Sequence, residues 1–153
     1  MTVWYEDDEL SIYFSSVPLI GIRYVLPSMS VEEKQSVQKY PFISKTALTV
    51  RVKDKKMFKM YDFTIPKGYC FDGASVPRFF WRVIGSNTDN KFLVPAMIHD
   101  YMCENHSCVD SNRILSTKVF NALLQVSGVG KVKRFFMKNS VDIFQKFFCR
   151  WQT

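Results

Sequence analysis

The first half of the chain has the alternating hydrophobic pattern of a β-sheet. Between residues 46 and 65, apolar and polar side chains alternate on both sides of a polar break at residues 54–56. A period of two buries one face of a strand, so this segment predicts an antiparallel hairpin. The alternating apolar positions of its first strand are Leu48, Val50 and Val52, its return strand runs from Met57 to Ile65, and shorter apolar runs at residues 3–5 and 12–14 predict two more strands.

The second half has the three- and four-residue spacing of apolar positions that is typical of amphipathic helices. A shorter helix is predicted earlier, with Ser30 as its N-cap, Glu33 completing a capping box and an end before Pro41. Strands followed by helices favour an α+β fold, in which a small antiparallel sheet packs on a C-terminal bundle of about four helices. The predicted C-terminal helices cover residues 75–84, 92–104, 112–126 and 132–151, and the core-facing stripe of the last comprises Val132, Phe135, Phe136, Ile143, Phe144, Phe147, Phe148 and Trp151.

Length and composition indicate one globular domain over residues 1–153. Apolar side chains make up 47% of the chain, which excludes a disordered protein. No run of about 20 apolar residues predicts a membrane span, and the acidic N-terminus does not resemble a signal peptide. Without an export signal, the four cysteines are expected to be reduced.

Positive charge is concentrated near the C-terminus. The net charge is +7, and residues 129–151 contain six basic side chains against Asp142 alone. A basic patch of Lys131, Arg134 and Lys138 is predicted on the last helix, away from much of its apolar stripe. Such a patch can face an anionic membrane surface, nucleic acid or an acidic protein, or it can be a solvated helix face. Nucleic acid is the less favoured partner, because the aromatic side chains of this helix share the stripe predicted to be core.

A first candidate site lies at the predicted start of the first C-terminal helix. It combines a carboxylate, a flexible glycine, a small side chain and a capping hydroxyl. Exposed N–H groups at a helix start attract anions, and a glycine lets the backbone approach a ligand closely. These residue types predict a ligand-binding loop, and the alternative is that the carboxylate and hydroxyl only cap and close the turn. The residues are Asp72, Gly73, Ala74, Ser75 and Arg78.

A second candidate site lies within the predicted helix 92–104. His99 could act as a general base on a water held by a metal, with Asp100 as an oxygen ligand and Asp72 as a second ligand or orienting group. Calcium or magnesium prefers such oxygen ligands. The structural alternative is a core histidine, with Asp100 bonded to it or to Arg78. A zinc site is a further alternative, although its spacing matches no common finger, and its ligands would be His99, Cys103, His106 and Cys108.

The two clusters together resemble a small phage and prophage domain family of unknown function. The resemblance covers roughly residues 45–147, so it marks a core at 44–153 and a family-atypical N-terminal segment at 1–43. It implies a phage or prophage origin, and its histidine and aspartate suggest a hydrolase. The matching motifs are Pro66-Lys67-Gly68, the run from Asp72 to Arg78 that reads D-G-A-S-V-P-R, Phe80-Trp81, and His99-Asp100-Tyr101 within a helix.

The chain departs from this family pattern at two positions. The H-D-Y run is often followed two residues later by a tyrosine, where this chain has Cys103. An aspartate is common on the next helix, where this chain has Ser116. If that aspartate orients the histidine, its replacement implies that the fold is kept and the reaction is lost.

Two functions follow from these motifs. The first is a metal-dependent hydrolase that acts on a host envelope component, lipid or cell wall, with calcium, magnesium or zinc as cofactor; the His99–Asp100 pair favours it. The second is a non-enzymatic virion component, associated with the tail, hub or capsid, made in the host cytoplasm and incorporated into the particle; the two replaced positions favour it. An accessory factor that binds host protein or nucleic acid is a third hypothesis, motivated by the basic C-terminal stretch.

Overall fold

The N-terminal half of the chain forms two antiparallel sheets, and three of the four described α-helices follow them. The computed structural model describes residues 1–72 and 90–148. A 3-10 segment, His106–Val109, links two of the helices. In chain order the elements are β1 (Thr2–Glu6), β2 (Leu10–Phe14), β3 (Ile20–Ile22), α1 (Val31–Lys39), β4 (Phe42–Ser44), β5 (Leu48–Asp54), β6 (Lys59–Ile65), β7 (Cys70–Phe71), α2 (Asn90–Glu104), α3 (Arg113–Val126) and α4 (Lys131–Phe148).

The larger sheet has the strand order β1-β2-β5-β6 and contains the predicted hairpin. The alternating apolar side chains of β5 are all buried, as the period of two requires. On the opposite face, Arg51 and Asp62 form a two-point ion pair across β5 and β6, with N···O distances of 2.8 and 3.0 Å. The hairpin at 48–65 and the strands predicted at 3–5 and 12–14 are confirmed.

The smaller sheet, of order β3-β4-β7, was not anticipated from the sequence. No strand was predicted at Cys70 and Phe71, which pair with β4. The phenyl rings of Phe42 and Phe71 lie 5.5 Å apart across this pairing. Because β7 ends at Phe71, it delivers Asp72 directly to the end of the sheet next to α2.

The helix starts follow the predicted capping chemistry. The hydroxyl of Ser30 accepts a hydrogen bond from the Glu33 amide at 3.1 Å, and α1 ends before Pro41. The side chain of Asn112 accepts from the Leu115 amide at 3.0 Å and caps α3. The helices predicted at 92–104 and 112–126 are confirmed within two residues. The helix predicted at 75–84 lies outside the described residues.

The helices form two layers on the sheets. Apolar side chains of α2 and α3 pack against the buried faces of both sheets in the main core. A second cluster joins α3 to α4 on the side away from the sheets, and it contains Phe120, Leu124, Val129, Met137 and Val141. Within the described residues, α4 is therefore an outer element that packs through one face.

The orientation of α4 corrects the predicted apolar stripe. The side chains of Val132, Phe135, Phe136 and Ile143, expected in the core, are exposed. The buried face instead carries Met137, Ser140, Val141 and Gln145. Aromatic and aliphatic residues occur on both sides of this helix, so periodicity alone does not select the inward face. The side chains of Phe144, Phe147 and Phe148, and the whole of Trp151, lie outside what the structure describes.

The described part of the chain confirms the α+β class, with the antiparallel strands concentrated in the N-terminal half and most helices in the C-terminal half. Within residues 1–72 and 90–148, no helix combines the length and the apolar character needed to cross a bilayer.

The inward face of α4 can be tested by paired truncations. We expect Met137→Ala to lower the free energy of unfolding by about 2–5 kcal/mol, because it removes a fully buried side chain. We expect Phe135→Ala to change it by less than about 0.5 kcal/mol, because that ring is exposed. Urea unfolding followed by circular dichroism measures both. Equal losses of stability in the two variants would contradict the observed orientation.

Candidate functional site

His99 lies in the middle of α2 and points into the helix layer. Its side chain is 0% exposed. The ring packs at 5.1 Å from the ring of Phe120 on α3, and its Nε2 is hydrogen-bonded to the side-chain amide of Gln145 on α4. The imidazole is therefore enclosed between three helices.

Gln145 is the centre of a buried polar network. Besides the bond to His99, its Nε2 donates to the hydroxyl of Ser116 at 3.0 Å. Its Oε1 accepts from the hydroxyl of Thr117 at 2.9 Å. The network extends outward because Thr117 also approaches Asp142, which pairs with Arg113 near the surface. Each polar atom of the buried amide thus has a partner, which offsets the cost of burying it.

The surroundings of His99 keep its ring neutral. Burial lowers the pKa of His99 to about 3, and the hydrogen bond from Gln145 opposes this shift only in part. Because the amide N–H donates to Nε2, the ring proton belongs on Nδ1. That Nδ1 is buried, and no hydrogen-bond partner for it occurs among the described residues. A neutral, enclosed imidazole is suited to holding helices together.

Asp100 faces a different neighbourhood from His99. Asp100 is buried. Burial of Tyr69 is the main cause that raises the pKa of that tyrosine, and the neighbouring Glu104 is the next. The charges of Asp100 and Asp72 add smaller contributions in the same direction. The Tyr69 hydroxyl donates to Glu104 at 2.9 Å. The predicted Asp72 and Asp100 are therefore both near enough to Tyr69 for their charges to act on its hydroxyl.

His99 does not join this carboxylate group. Its Nε2 is bonded to Gln145 and its Nδ1 to neither aspartate, and no carboxylate contributes to its pKa shift. The third residue of the H-D-Y run, Tyr101, stacks on Phe63 of the sheet at 5.6 Å. The three adjacent residues of the H-D-Y run thus lie in three different surroundings: the helix layer, the neighbourhood of Tyr69 and the larger sheet. The remaining residues of the predicted ligand-binding loop, Gly73, Ala74, Ser75 and Arg78, lie outside the described residues.

The alternative zinc set is not assembled in the described structure. Cys103 is disulfide-bonded, so it does not offer a thiolate, and the expectation of reduced thiols is wrong for this residue. Cys108 is a free thiol whose pKa is raised to about 11 by burial. His106 Nδ1 lies 2.6 Å from the hydroxyl of Ser111. Within residues 1–72 and 90–148, no group of three or more His, Cys, Asp or Glu side chains is placed to hold a metal ion.

The predicted basic patch on α4 is divided by the fold. Lys131 and Lys138 are exposed, whereas Arg134 is half-buried and donates to the Val129 carbonyl at 3.0 Å. Lys138 lines a cavity together with Asp7 and Glu9 of the acidic β1–β2 turn. The acidic N-terminus therefore lies beside part of the basic C-terminal helix.

Sequence reasoning did not anticipate the roles of Gln145, Thr117 and Tyr69. The signal for Gln145 was present, since a single amide interrupts a run of phenylalanines on α4. Ser116 was singled out as the position where the resembling family commonly has an aspartate, and it proves to lie one hydrogen bond from the partner of His99. Nothing local marked Tyr69, because its neighbour Glu104 is 35 positions away.

The depressed pKa of His99 predicts a pH-dependent stability. The unfolded chain binds a proton at this residue below about pH 6.5, and the folded chain does so only below about pH 3. The stability conferred by the neutral ring is therefore complete above pH 6.5 and decreases as the pH falls through this window. The expected slope is at most about 1.4 kcal/mol per pH unit.

Urea unfolding of the wild type and His99→Gln between pH 7 and pH 4 measures this slope. The variant should lose the part of the pH dependence of stability that comes from His99. The part that comes from the carboxylates should be the same in both proteins. His106→Gln is the matched control, because the chain has only two histidines. The same pH dependence in the wild type and His99→Gln would show that His99 is not buried in a neutral state.

Comparison with known proteins places the chain in a family. The model of "Protein of unknown function (DUF1353)" matches residues 46–141, which is more than half of the sequence. A curated relative, "Uncharacterized protein y4jT" of Sinorhizobium fredii (strain NBRC 101917 / NGR234), is 44% identical over 43 residues. This alignment spans 28% of the chain and 13% of the relative. No solved structure matches the chain. The chain belongs to the DUF1353 family.

Proposed function

We propose that this protein is a non-enzymatic phage or prophage virion component, associated with the tail, hub or capsid, which keeps the family fold around a degenerate site. The observation that carries the proposal is the enclosure of His99 by neutral side chains. A general base needs contact with the proton it removes and is usually oriented by a third group. Here Gln145 occupies Nε2, and Ser116, bonded to Gln145, stands where the resembling family commonly has an aspartate.

The exposed apolar surface of the N-terminal segment supports an assembly role. Monomeric proteins seldom expose many neighbouring apolar side chains in one segment, and such a surface marks an interaction site. This segment lies within residues 1–45, which precede the family match. We refer to it as the N-terminal apolar segment; its exposed side chains are Val17, Leu19, Ile22, Tyr24, Val25, Leu26 and Val31.

An assembly role predicts stoichiometric incorporation into particles. Particles purified by density gradient from an induced culture of the source strain should contain the protein at a fixed ratio to the capsid protein, measured by quantitative mass spectrometry. The double variant Tyr24→Ser/Leu26→Ser should lose most of this incorporation and keep its circular dichroism spectrum, since both side chains are exposed.

The matched control for this experiment is Ile114→Ser, which removes an exposed apolar side chain from α3. That variant should be incorporated as the wild type is. Absence of the wild-type protein from purified particles would refute the virion role.

A metal-dependent hydrolase of a host envelope component is the second candidate, and one observation favours it. Asp72 and Asp100, distant in sequence, both act on the hydroxyl of Tyr69. Carboxylate oxygens are the ligands that calcium and magnesium prefer. In this model the two aspartates would hold the ion, and His99 would require an opening of the helix layer to reach a substrate.

Metal titration separates the two candidates. If the hydrolase function is correct, calorimetry with calcium, magnesium and zinc should show one-to-one binding of one of these ions by the wild type and its loss in Asp100→Asn. Asp62→Asn removes an exposed carboxylate on β6 and should bind as the wild type does. Equal heats for the wild type and Asp100→Asn, with both proteins folded, would contradict the hydrolase.

A further inference from the structure

We propose that the outward face of α4 binds the surface of an anionic lipid bilayer. This inference is independent of the proposed virion role, because it concerns a different surface from the N-terminal apolar segment. We define the α4 outer face as Val132, Phe135, Phe136 and Ile143, which are 70%, 63%, 48% and 58% exposed.

The four side chains form an apolar stripe on one side of the helix, which the exposed Asn139 interrupts between Phe136 and Ile143. With 3.6 residues per turn, their positions fall within an arc of about 100°. The rings of Phe135 and Phe136 contact each other edge-on, with centroids 5.7 Å apart. The opposite side of α4 is already occupied, since Met137, Val141 and Gln145 are buried against the other helices. Among the described residues, the stripe therefore does not contribute to the packed core.

Lys131 and Lys133 flank this stripe on its two sides, and Lys146 lies in line with it beyond Ile143. Lys131, Lys133 and Lys146 are exposed on α4, and the single acidic residue of the helix, Asp142, is paired with Arg113. Lys138 is partly offset, since it shares a cavity with Asp7 and Glu9. A helix with an apolar face bordered by lysines lies in the plane of a membrane interface, with the apolar side chains among the acyl chains and the ammonium groups near lipid phosphates.

The combination of charge and apolar surface selects a bilayer over other partners. Phosphates of a nucleic acid would satisfy the lysines but would not bury Val132 and Ile143. The N-terminal apolar segment lacks this combination, because its one cation, Arg23, donates to the Tyr40 carbonyl at 2.9 Å. The 18 residues of α4 extend about 27 Å. The helix can therefore lie along an interface while its inner face remains packed on α3.

Flotation of the full-length protein with lipid vesicles tests this inference. The wild type should float with vesicles of phosphatidylcholine and phosphatidylglycerol, and not with pure phosphatidylcholine. The double variant Phe135→Ser/Phe136→Ser should bind at least about tenfold more weakly, because both rings leave the interface. The triple variant Lys131→Gln/Lys133→Gln/Lys146→Gln should also bind more weakly and lose most of the dependence on salt.

The matched control is Phe58→Ser, which removes a ring that is 95% exposed at the tip of the β5–β6 hairpin. It should bind vesicles as the wild type does. No flotation of the folded wild type, equal flotation with both lipid compositions, or unchanged flotation of Phe135→Ser/Phe136→Ser would each overturn the proposal. Sedimentation velocity tests the alternative that this face binds a second copy of the chain. If Phe135→Ser/Phe136→Ser abolishes self-association and leaves lipid binding unchanged, the face belongs to that second copy and the proposal is overturned. Particle incorporation is a separate readout, so failure here leaves the virion role unaffected.

Discussion

A single buried amide determines how the helices α2, α3 and α4 fit together. Gln145 on α4 bonds to His99 on α2 and to Ser116 and Thr117 on α3, so one side chain joins three helices. A buried amide without partners would cost free energy comparable to several methylene groups. The helices can therefore neither slide nor rotate much without breaking the network. The polar centre specifies the arrangement that the surrounding apolar cluster stabilises.

The inward orientation of the Gln145 side chain also determines which side chains of α4 are exposed to solvent. Once Met137, Val141 and Gln145 face α3, the helix geometry directs Val132, Phe135 and Phe136 away from the core. The exposed stripe thus accompanies the inward packing of the polar network. The lysines beside it add positive charge to this apolar surface. The same constraint separates His99 from Asp100. Adjacent residues of a helix point about 100° apart, so one serves the helix layer and the other the end of the sheet.

Much of the fold follows from local patterns. The hairpin of β5 and β6, the cap at Ser30 and the extents of α2 and α3 were all predictable, because each depends on residues within one element or one turn. The small strand β7 was not, since its only reason to be extended is pairing with β4, which lies 27 residues earlier. The prediction for α4 was wrong for Val132, Phe135, Phe136 and Ile143. Apolar residues occur around most of this helix, so periodicity alone does not select the inward face.

For the candidate site, the sequence by itself identified the residue types: an aspartate at the end of a β-rich half, a histidine and an aspartate in a buried helix, and a serine at an atypical position. Only the tertiary structure decided which of them meet. The charges of Asp72 and Asp100 both act on Tyr69, whereas His99 is enclosed beside Gln145 and Ser116. The reason is physical: local spacing fixes the face of a helix on which a side chain lies, but the partner of that face, and with it the charge, burial and pKa of the side chain, depends on elements distant in sequence.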